Sequence, residues 1–472
     1  MKKYDHDLIV IGLGPAGMAV AIMASAMGLK VCAIEKHKVG GECMNVGCIP
    51  SKALLRMGKT RAMFDKLGRM ELGQSPKPDA LKPFSRIQES LDFISQQKTM
   101  RMFDKVHMVY QQGAAEFVDP HTVAVGGKTY TAQRIFICVG TRPAVPNFPG
   151  IDDIDYLTNE TMFSLETIPK SLLVAGGGAI ACEMAQAFAR LGSKVTMLIR
   201  GPRLMWREDR DATDLLETTF ENEGITILRE QKPAAFENRD GKVWLKTDKG
   251  LELTVDKVLI GAGRKMDFAA MNLTAAGVDV TEKGAIEVNK HLQTSQRHIY
   301  AVGDCNGYFQ FSHAAMHQGM LALINSMAPR PFKQNFLSYP VPWTVFTEPQ
   351  ISRVGASAED LDKRGVKYET FKVNYSDYGA AIAEAVDAGF VKVHVSKTGR
   401  ILGAMIVGEG SGEMINEWTL AVQNKMRIHQ IMMQQHSFPT MGFLSKRVAE
   451  TWMMGKMKSS RLQRLCQWMY RL

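Results

Sequence analysis

The stretch DLIVIGLGPAGMAVAIMASAMGLKVCAIEK, residues 7–36, decides the architecture. It opens on an apolar run and turns at Gly12-x-Gly14-x-x-Gly17. A helix-like run follows, and a second apolar run, KVCAIE, ends on the acidic Glu35. Strand, glycine turn, helix, strand and terminal carboxylate together read as a dinucleotide-binding unit. In this reading Gly12 permits the tight turn and Gly14 lets a pyrophosphate approach the backbone. Gly17 lets the helix pack close, and Glu35 accepts from a ribose hydroxyl pair.

The pattern returns at SLLVAGGGAIACEMAQAFARLGSKVTMLIRGPRLMWRED, residues 171–209, with its turn at Gly176-x-Gly178-x-x-Ala181. Here the second strand runs into Arg200 instead of an acid. An arginine at the ribose-reading position suits a 2′-phosphate, which favours NADPH while leaving NADH possible. Arg203 and Arg207 follow closely enough to share that phosphate, the alternative for them being a solvated basic loop. Two such units imply two cofactors and a transfer between them. One should be a flavin, because hydride from a nicotinamide needs an acceptor able to pass electrons singly or in pairs. Two later segments, 134–146 and 257–267, are strands followed by glycine turns at Gly140 and Gly263. The run HIYAVGDCNG, 298–307, carries an apolar strand towards Asp304.

A chain of 472 residues exceeds one ordinary core, so two to four domains are expected. Hydrophobic residues at 45% and charged residues at 22% are those of a folded globular protein, not a disordered or fibrous one. The start, MKKYDHDLIVIGLG, has a short, glycine-containing apolar run and reads as a first strand instead of a signal peptide. No stretch reaches the roughly 18 apolar residues that span a bilayer, and a cytoplasmic protein is expected. The net charge is +10, but from Thr440 onward seven Lys/Arg and one Glu contribute 7 − 1 = +6 of it. Basic residues gathered in one tail, with no reading motif beside them, argue against nucleic acid as a partner.

Of seven cysteines, only Cys43 and Cys48 stand close together, in GGECMNVGCIPSKALL, 40–55. Metal clip, disulfide staple and redox pair are the candidates. An odd count scattered through a long chain argues against a disulfide framework. A zinc clip needs two further ligands, and none of suitable spacing is nearby. Cys32, Cys138 and Cys182 sit in apolar patterns and read as small buried hydrophobes; Cys305 receives no role. Cys48 opens the helix-like IPSKALLRMGK, where a helix dipole lowers a thiol's pKa.

With both turns and GGECMNVGCIPSK in hand, the chain resembles the pyridine-nucleotide disulfide oxidoreductases of the dihydrolipoamide dehydrogenase, glutathione reductase and mercuric reductase group. The resemblance covers nearly the whole length. It implies an α/β fold with two Rossmann-like domains and a C-terminal α+β dimerisation domain. The implied order is 1–150 for FAD, 151–268 for NAD(P)H, 269–335 as a return to the FAD domain, 336–454 as the interface and 455–472 as a basic extension. FAD falls to the first turn, Gly140 and Asp304, and nicotinamide to the second turn and Gly263. The cysteine pair then reads as redox-active, with Cys48 on the flavin side and Cys43 as the interchange thiol. Lys52 matches the lysine near flavin N5, and Glu183 matches its acidic partner. A homodimer passing electrons to a small-molecule or small-protein acceptor follows.

One departure stands out. The group carries a C-terminal HxHPTxxE-like segment whose second His handles protons in thiol exchange, oriented by the Glu. This chain reads QQHSFPTMGF, 434–443, so Phe438 and Phe443 hold those two positions and His436 matches only the first His. Loss of a positioned base costs on the order of 10² to 10⁴ in rate. Turnover of ordinary lipoamide or glutathione should be poor. Soft metal ions, quinones and a disulfide with an acidic leaving thiol remain as acceptors. Dihydrolipoamide dehydrogenase proper and a slow-turnover flavin redox sensor are the alternatives.

In the tail, Leu462, Leu465, Cys466, Met469 and Leu472 fall on one helical stripe, with Arg461, Arg464 and Arg471 off it. It reads as a helix packed on its own dimer, as a basic amphipathic helix resting peripherally on an anionic membrane, or as a carrier for Cys466 as a relay thiol. The 30 methionines read as flexible core filler or oxidant scavengers.

Overall fold

The computed structural model describes residues 4–73 and 75–472. The first apolar run becomes the strand His6–Ile11, whose last residues are buried on both faces, as a strand covered by helices on each side must be. It lies between Val31–Glu35 and Lys128–Ile137, and His107–Tyr110 and Ile299–Ala301 extend the sheet on either side, all parallel. The chain therefore leaves this sheet, builds a second one and comes back to add Ile299–Ala301.

The second sheet is likewise parallel, in the order Thr226–Leu228, Lys194–Leu198, Ser171–Ala175, Lys257–Ile260, Tyr156–Leu157. The glycine turns sit beyond the carboxyl ends of Ile11 and Ala175, where open α/β sheets bind ligands. The C-terminal part is an antiparallel five-stranded sheet from Trp343 to Val407. Helices Ser411–Gln423 and Phe443–Met457 cover it, pinned by the wholly buried Trp418, whose indole N–H donates to Ser445 Oγ at 3.1 Å. The fold is thus α/β with two dinucleotide-type units and a C-terminal α+β unit.

The expected limit at 454/455 falls inside Phe443–Met457, and the chain breaks instead at Lys458–Ser459. The tail then forms the helix Ser460–Tyr470, none of whose residues is buried. Among the described residues no helix is long and apolar enough to cross a membrane.

Candidate active site

The first turn is shaped by close backbone approaches. Gly12 has φ +89°, and a Cβ there would lie 2.7 Å from the Cys138 carbonyl oxygen. A Cβ on Gly17 would sit 1.9 Å from the Gly12 carbonyl oxygen, so only glycine lets the helix Pro15–Ala26 start this near the strand. At Gly14 a Cβ would meet nothing within 4 Å, which is open space for a ligand. The Glu35 carboxylate accepts from the backbone N–H of Leu13 at 2.8 Å and of His37 at 2.7 Å, and so is held facing the turn.

The second turn repeats this geometry. Gly176 has φ +145° against the Gly261 carbonyl, Gly178 faces open space, and Ala181 is buried against Gly261. The strand register corrects one expectation. Gly12 N donates to Ile34 O just as Gly176 N donates to Leu198 O. The residue equivalent to Glu35 is therefore Ile199, and Arg200 stands one place further on. Ile199 is buried and carries no carboxylate, so nothing at that position repels a 2′-phosphate, and exposed Arg200 remains beside it. Arg203 donates to Thr213 Oγ1 at 3.2 Å and to the Trp206 carbonyl at 2.9 Å, while the exposed Arg207 guanidinium lies over the Trp206 ring at 5.2 Å.

One cavity of about 2410 Å³ joins Gly14, Glu35, Gly140 and Asp304 to Gly178 and Gly263, and Cys43, Cys48, Lys52 and Glu183 line it too. Cradle, open approaches and facing carboxylates fit the two nucleotides the turns call for. Asp304 is held there by Thr141 Oγ1 at 3.1 Å and by Arg264, which also pairs with Glu42. Burial pushes the Asp304 carboxyl above the usual range, opposed by Arg264 and Thr141.

Cys43 lies in the one-turn helix Gly41–Asn45, and Cys48 is the first residue of the 15-residue helix Cys48–Ala62. Gly47 caps that helix without a side chain, which places the Cys48 thiol at the positive end of the helix dipole. The two cysteines are free thiols here. The hydrogen bond from Cys43 is the largest cause holding Cys48 below the usual 9.0, at about 6; Ser312 and the Lys52 ammonium add to it, against burial. Cys43 moves the opposite way because it keeps the proton it shares and is itself buried. Ser312 Oγ lies 3.3 Å from Cys48 Sγ.

Lys52, one turn along the same helix, pairs with the buried Glu183 at 2.8 Å. The other Glu183 oxygen accepts from Phe346 N at 2.9 Å, and the Lys52 ammonium also sits 4.3 Å above the Phe346 ring. The sequence reading missed Ser312, Thr141, Arg264 and Phe346. Thr141 and Arg264 directly follow the turn glycines Gly140 and Gly263, so those two turns held the signal, whereas Ser312 and Phe346 reach the site only through the return of distant segments.

At the C-terminal segment, the Phe438 ring is 71% exposed and meets Phe443 edge-on at 5.2 Å. His436 points elsewhere: Nε2 lies 2.8 Å from Glu417, and Nδ1 lies 3.3 Å from the Gln434 carbonyl.

The sequence profile of pyridine nucleotide-disulphide oxidoreductase matches residues 6–319, and that of the corresponding dimerisation domain matches 341–447. The chain belongs to the pyridine nucleotide-disulphide oxidoreductase family. It is 34% identical over 453 residues to a dihydrolipoyl dehydrogenase of Thermus scotoductus, spanning 93% of this chain and 95% of that one. A mercuric reductase of Shigella flexneri is 35% identical over 466 residues, 94% of this chain and 80% of its own. The HOCl-induced flavoprotein disulfide reductase RclA from Escherichia coli superposes with a TM-score of 0.85 at 27% identity, covering 94% of this chain and 99% of that one. The protein is an FAD-dependent pyridine-nucleotide disulfide oxidoreductase that uses FAD and NAD(P)H, as the two turns led one to expect.

Proposed function

We propose that the chain takes electrons from NADPH and delivers them through Cys43 and Cys48 to a thiophilic metal ion, with quinones and disulfides of acidic leaving thiols as secondary acceptors. One observation carries this reading: Phe438 and Phe443 stand where thiol exchange calls for an imidazole and its carboxylate. In support, similar proteins include mercuric reductases, and RclA has been solved as a Cu(II) complex.

FAD, when bound, takes hydride from the nicotinamide and supplies an electron pair at the disulfide. The chain's own residues do the rest. Gly12, Gly14, Gly17, Glu35, Gly140 and Asp304 hold FAD, within 1–150 and 269–335. Gly176, Gly178, Ala181, Gly263 and Arg200, with Arg203 and Arg207 beside it, hold NADPH within 151–268. Two electrons and one proton turn the disulfide into a Cys48 thiolate and a Cys43 thiol. The hydrogen bonds from Cys43 and Ser312 and the Lys52 charge favour the thiolate on Cys48. Lys52, fixed by Glu183, supplies a positive charge near it.

A soft cation held by both sulfurs displaces the Cys43 proton by its own charge, because metal ligands bind deprotonated. No protein base is demanded. An ordinary dithiol leaving group, with a pKa of about 8.5, does demand one, and phenylalanine cannot supply it. Residues 336–454 form the homodimer interface in this reading, and the exposed Phe438 ring is the kind of surface a second subunit covers. The exposed helix Ser460–Tyr470, with Trp468, Met469 and Tyr470 bare, rests on an anionic membrane surface; equal liposome partition after truncation before Ser459 would remove that assignment.

The deciding assay is NADPH oxidation by the purified holoenzyme with Hg²⁺, Cu²⁺, a quinone or lipoamide. The metal ions should exceed lipoamide in kcat/KM by at least about a hundredfold, the lower end of what a missing base costs. Lipoamide turnover equal to the metal rate overturns the reading.

A further inference from the structure

Three strands of the first sheet begin side by side at the end away from the nucleotide turn. His6 opens one, Cys32 is the second residue of the next, and His107 opens the third with its Cα paired to Cys32. One ligand-type atom from each side chain lies within 4.8 Å of the other two. His6 Nε2 is 2.9 Å from His107 Nδ1, and the rings stack at 5.1 Å between centroids. The remaining nitrogen of His6, Nδ1, is buried and has no hydrogen-bond partner among the described residues. Tyr130 closes the cluster with its ring 5.7 Å from that of His107. The Cys32 side chain is wholly buried.

We propose that His6, Cys32 and His107 form a binding site for a d¹⁰ cation, Zn²⁺ or Cu⁺, separate from the redox thiols. Two imidazoles and one thiolate are a borderline-to-soft donor set, which discriminates against Mg²⁺ and Ca²⁺. Metal bonds of about 2.0–2.1 Å to nitrogen and about 2.3 Å to sulfur place tetrahedral ligand atoms roughly 3.4 Å apart. The two histidine nitrogens must open slightly and the sulfur must swing in, which side-chain torsions can supply. The exposed side, at His107, leaves a fourth position for water.

The ion must displace the Cys32 thiol proton on binding. Cys32 precedes Glu35 by three residues, roughly 10 Å along the strand. The ion would therefore clamp the start of three strands and stay outside the electron path. A cysteine whose sequence pattern suggests only core filler becomes a ligand because the parallel register pairs it with His107 while His6, at the start of the neighbouring strand, lies within reach.

The test uses full-length, FAD-loaded protein carrying Cys43→Ser, Cys48→Ser and Cys466→Ser, so that accessible thiols do not compete. Co²⁺ should bind at one equivalent with a thiolate-to-metal charge-transfer band and be displaced by Zn²⁺. Adding Cys32→Ser should abolish the band. Because Cys32 is buried, His107→Ala is the paired variant; its side chain is exposed, and it should weaken Co²⁺ binding at least tenfold with FAD content unchanged. Competition against chelators for Cu⁺ and for Zn²⁺ then assigns the ion. In the otherwise native enzyme, His107→Ala should leave NADPH oxidation within twofold. No Co²⁺ band in the triple-serine protein, a band unaltered by His107→Ala, or retention of neither Cu⁺ nor Zn²⁺ overturns the proposal.

Discussion

Replacing Ser312 by alanine isolates one contribution to the state of the flavin-side thiol. Cys48 lies below the ordinary thiol value of 9.0, at about 6. Three groups favour the charge: Cys43 first, then Ser312, then Lys52. A hydrogen bond to a charged group contributes about 1.5–3 kcal/mol at good geometry, and an O···S separation of 3.3 Å puts this one at the low end. Its loss should raise the pKa by about one unit, to about 7. The assay is anaerobic reduction by one equivalent of NADPH, followed by the thiolate–flavin charge-transfer absorbance as a function of pH. The sign is fixed: a depressed acid loses its charged form, and the stability that form confers, as pH falls through the folded pKa, so the band fades on acidification. The midpoint should move from about 6 in the native enzyme to about 7 in Ser312→Ala, and Ser312→Thr, which keeps the hydroxyl, should restore it. An unchanged midpoint in Ser312→Ala would show that this hydroxyl does not hold the thiolate.

Gly17→Ala drives a methyl group to 1.9 Å from the Gly12 carbonyl oxygen. It should cost at least about 3 kcal/mol in denaturant unfolding and strip FAD from the purified protein, visible in its flavin absorbance. Arg200→Ala should lower kcat/KM for NADPH about tenfold while leaving NADH within twofold, since a lost charge-assisted contact to phosphate is worth at least about 1.4 kcal/mol. A parallel fall for both coenzymes would clear Arg200 of reading the 2′-phosphate. Phe438→His combined with Phe443→Glu should raise lipoamide kcat/KM about a hundredfold, the modest end of general-base catalysis. No gain would mean that the missing proton carrier is not what limits disulfide turnover.

Much of the fold is legible because steric rules act locally. A glycine with φ +89° against a carbonyl cannot be replaced cheaply, so Gly12 and Gly17 announce a strand–helix junction to any reader of the sequence. The two cysteines share one short segment, and helix-start chemistry lowers a thiol wherever it occurs. What was not legible is register and long-range return. Whether Ile199 or Arg200 stands opposite Glu35 depends on which amide reaches the Leu198 carbonyl, and composition cannot say. Ser312 is 264 residues from Cys48, and no periodicity connects them. Phe346 reaches Glu183 from the C-terminal unit for the same reason.

The helix Cys48–Ala62 explains why the redox site can be both reactive and rigid. Its first residue is the low-pKa thiol, and each later turn is fastened to a different part of the chain. Lys52 holds Glu183 on the helix Ala179–Leu191 of the second nucleotide unit, and Gly58 lets that helix approach until a Cβ would sit 3.3 Å from the Ala187 carbonyl oxygen. Lys59 reaches Glu409 at 2.7 Å, in the C-terminal unit, and Arg61 donates to the Arg190 carbonyl at 2.6 Å. Beneath these contacts Leu54, Met184, Val345 and Phe390 share one core. A thiolate favoured below the ordinary thiol pKa needs donors that do not drift, and this packing supplies that fixity.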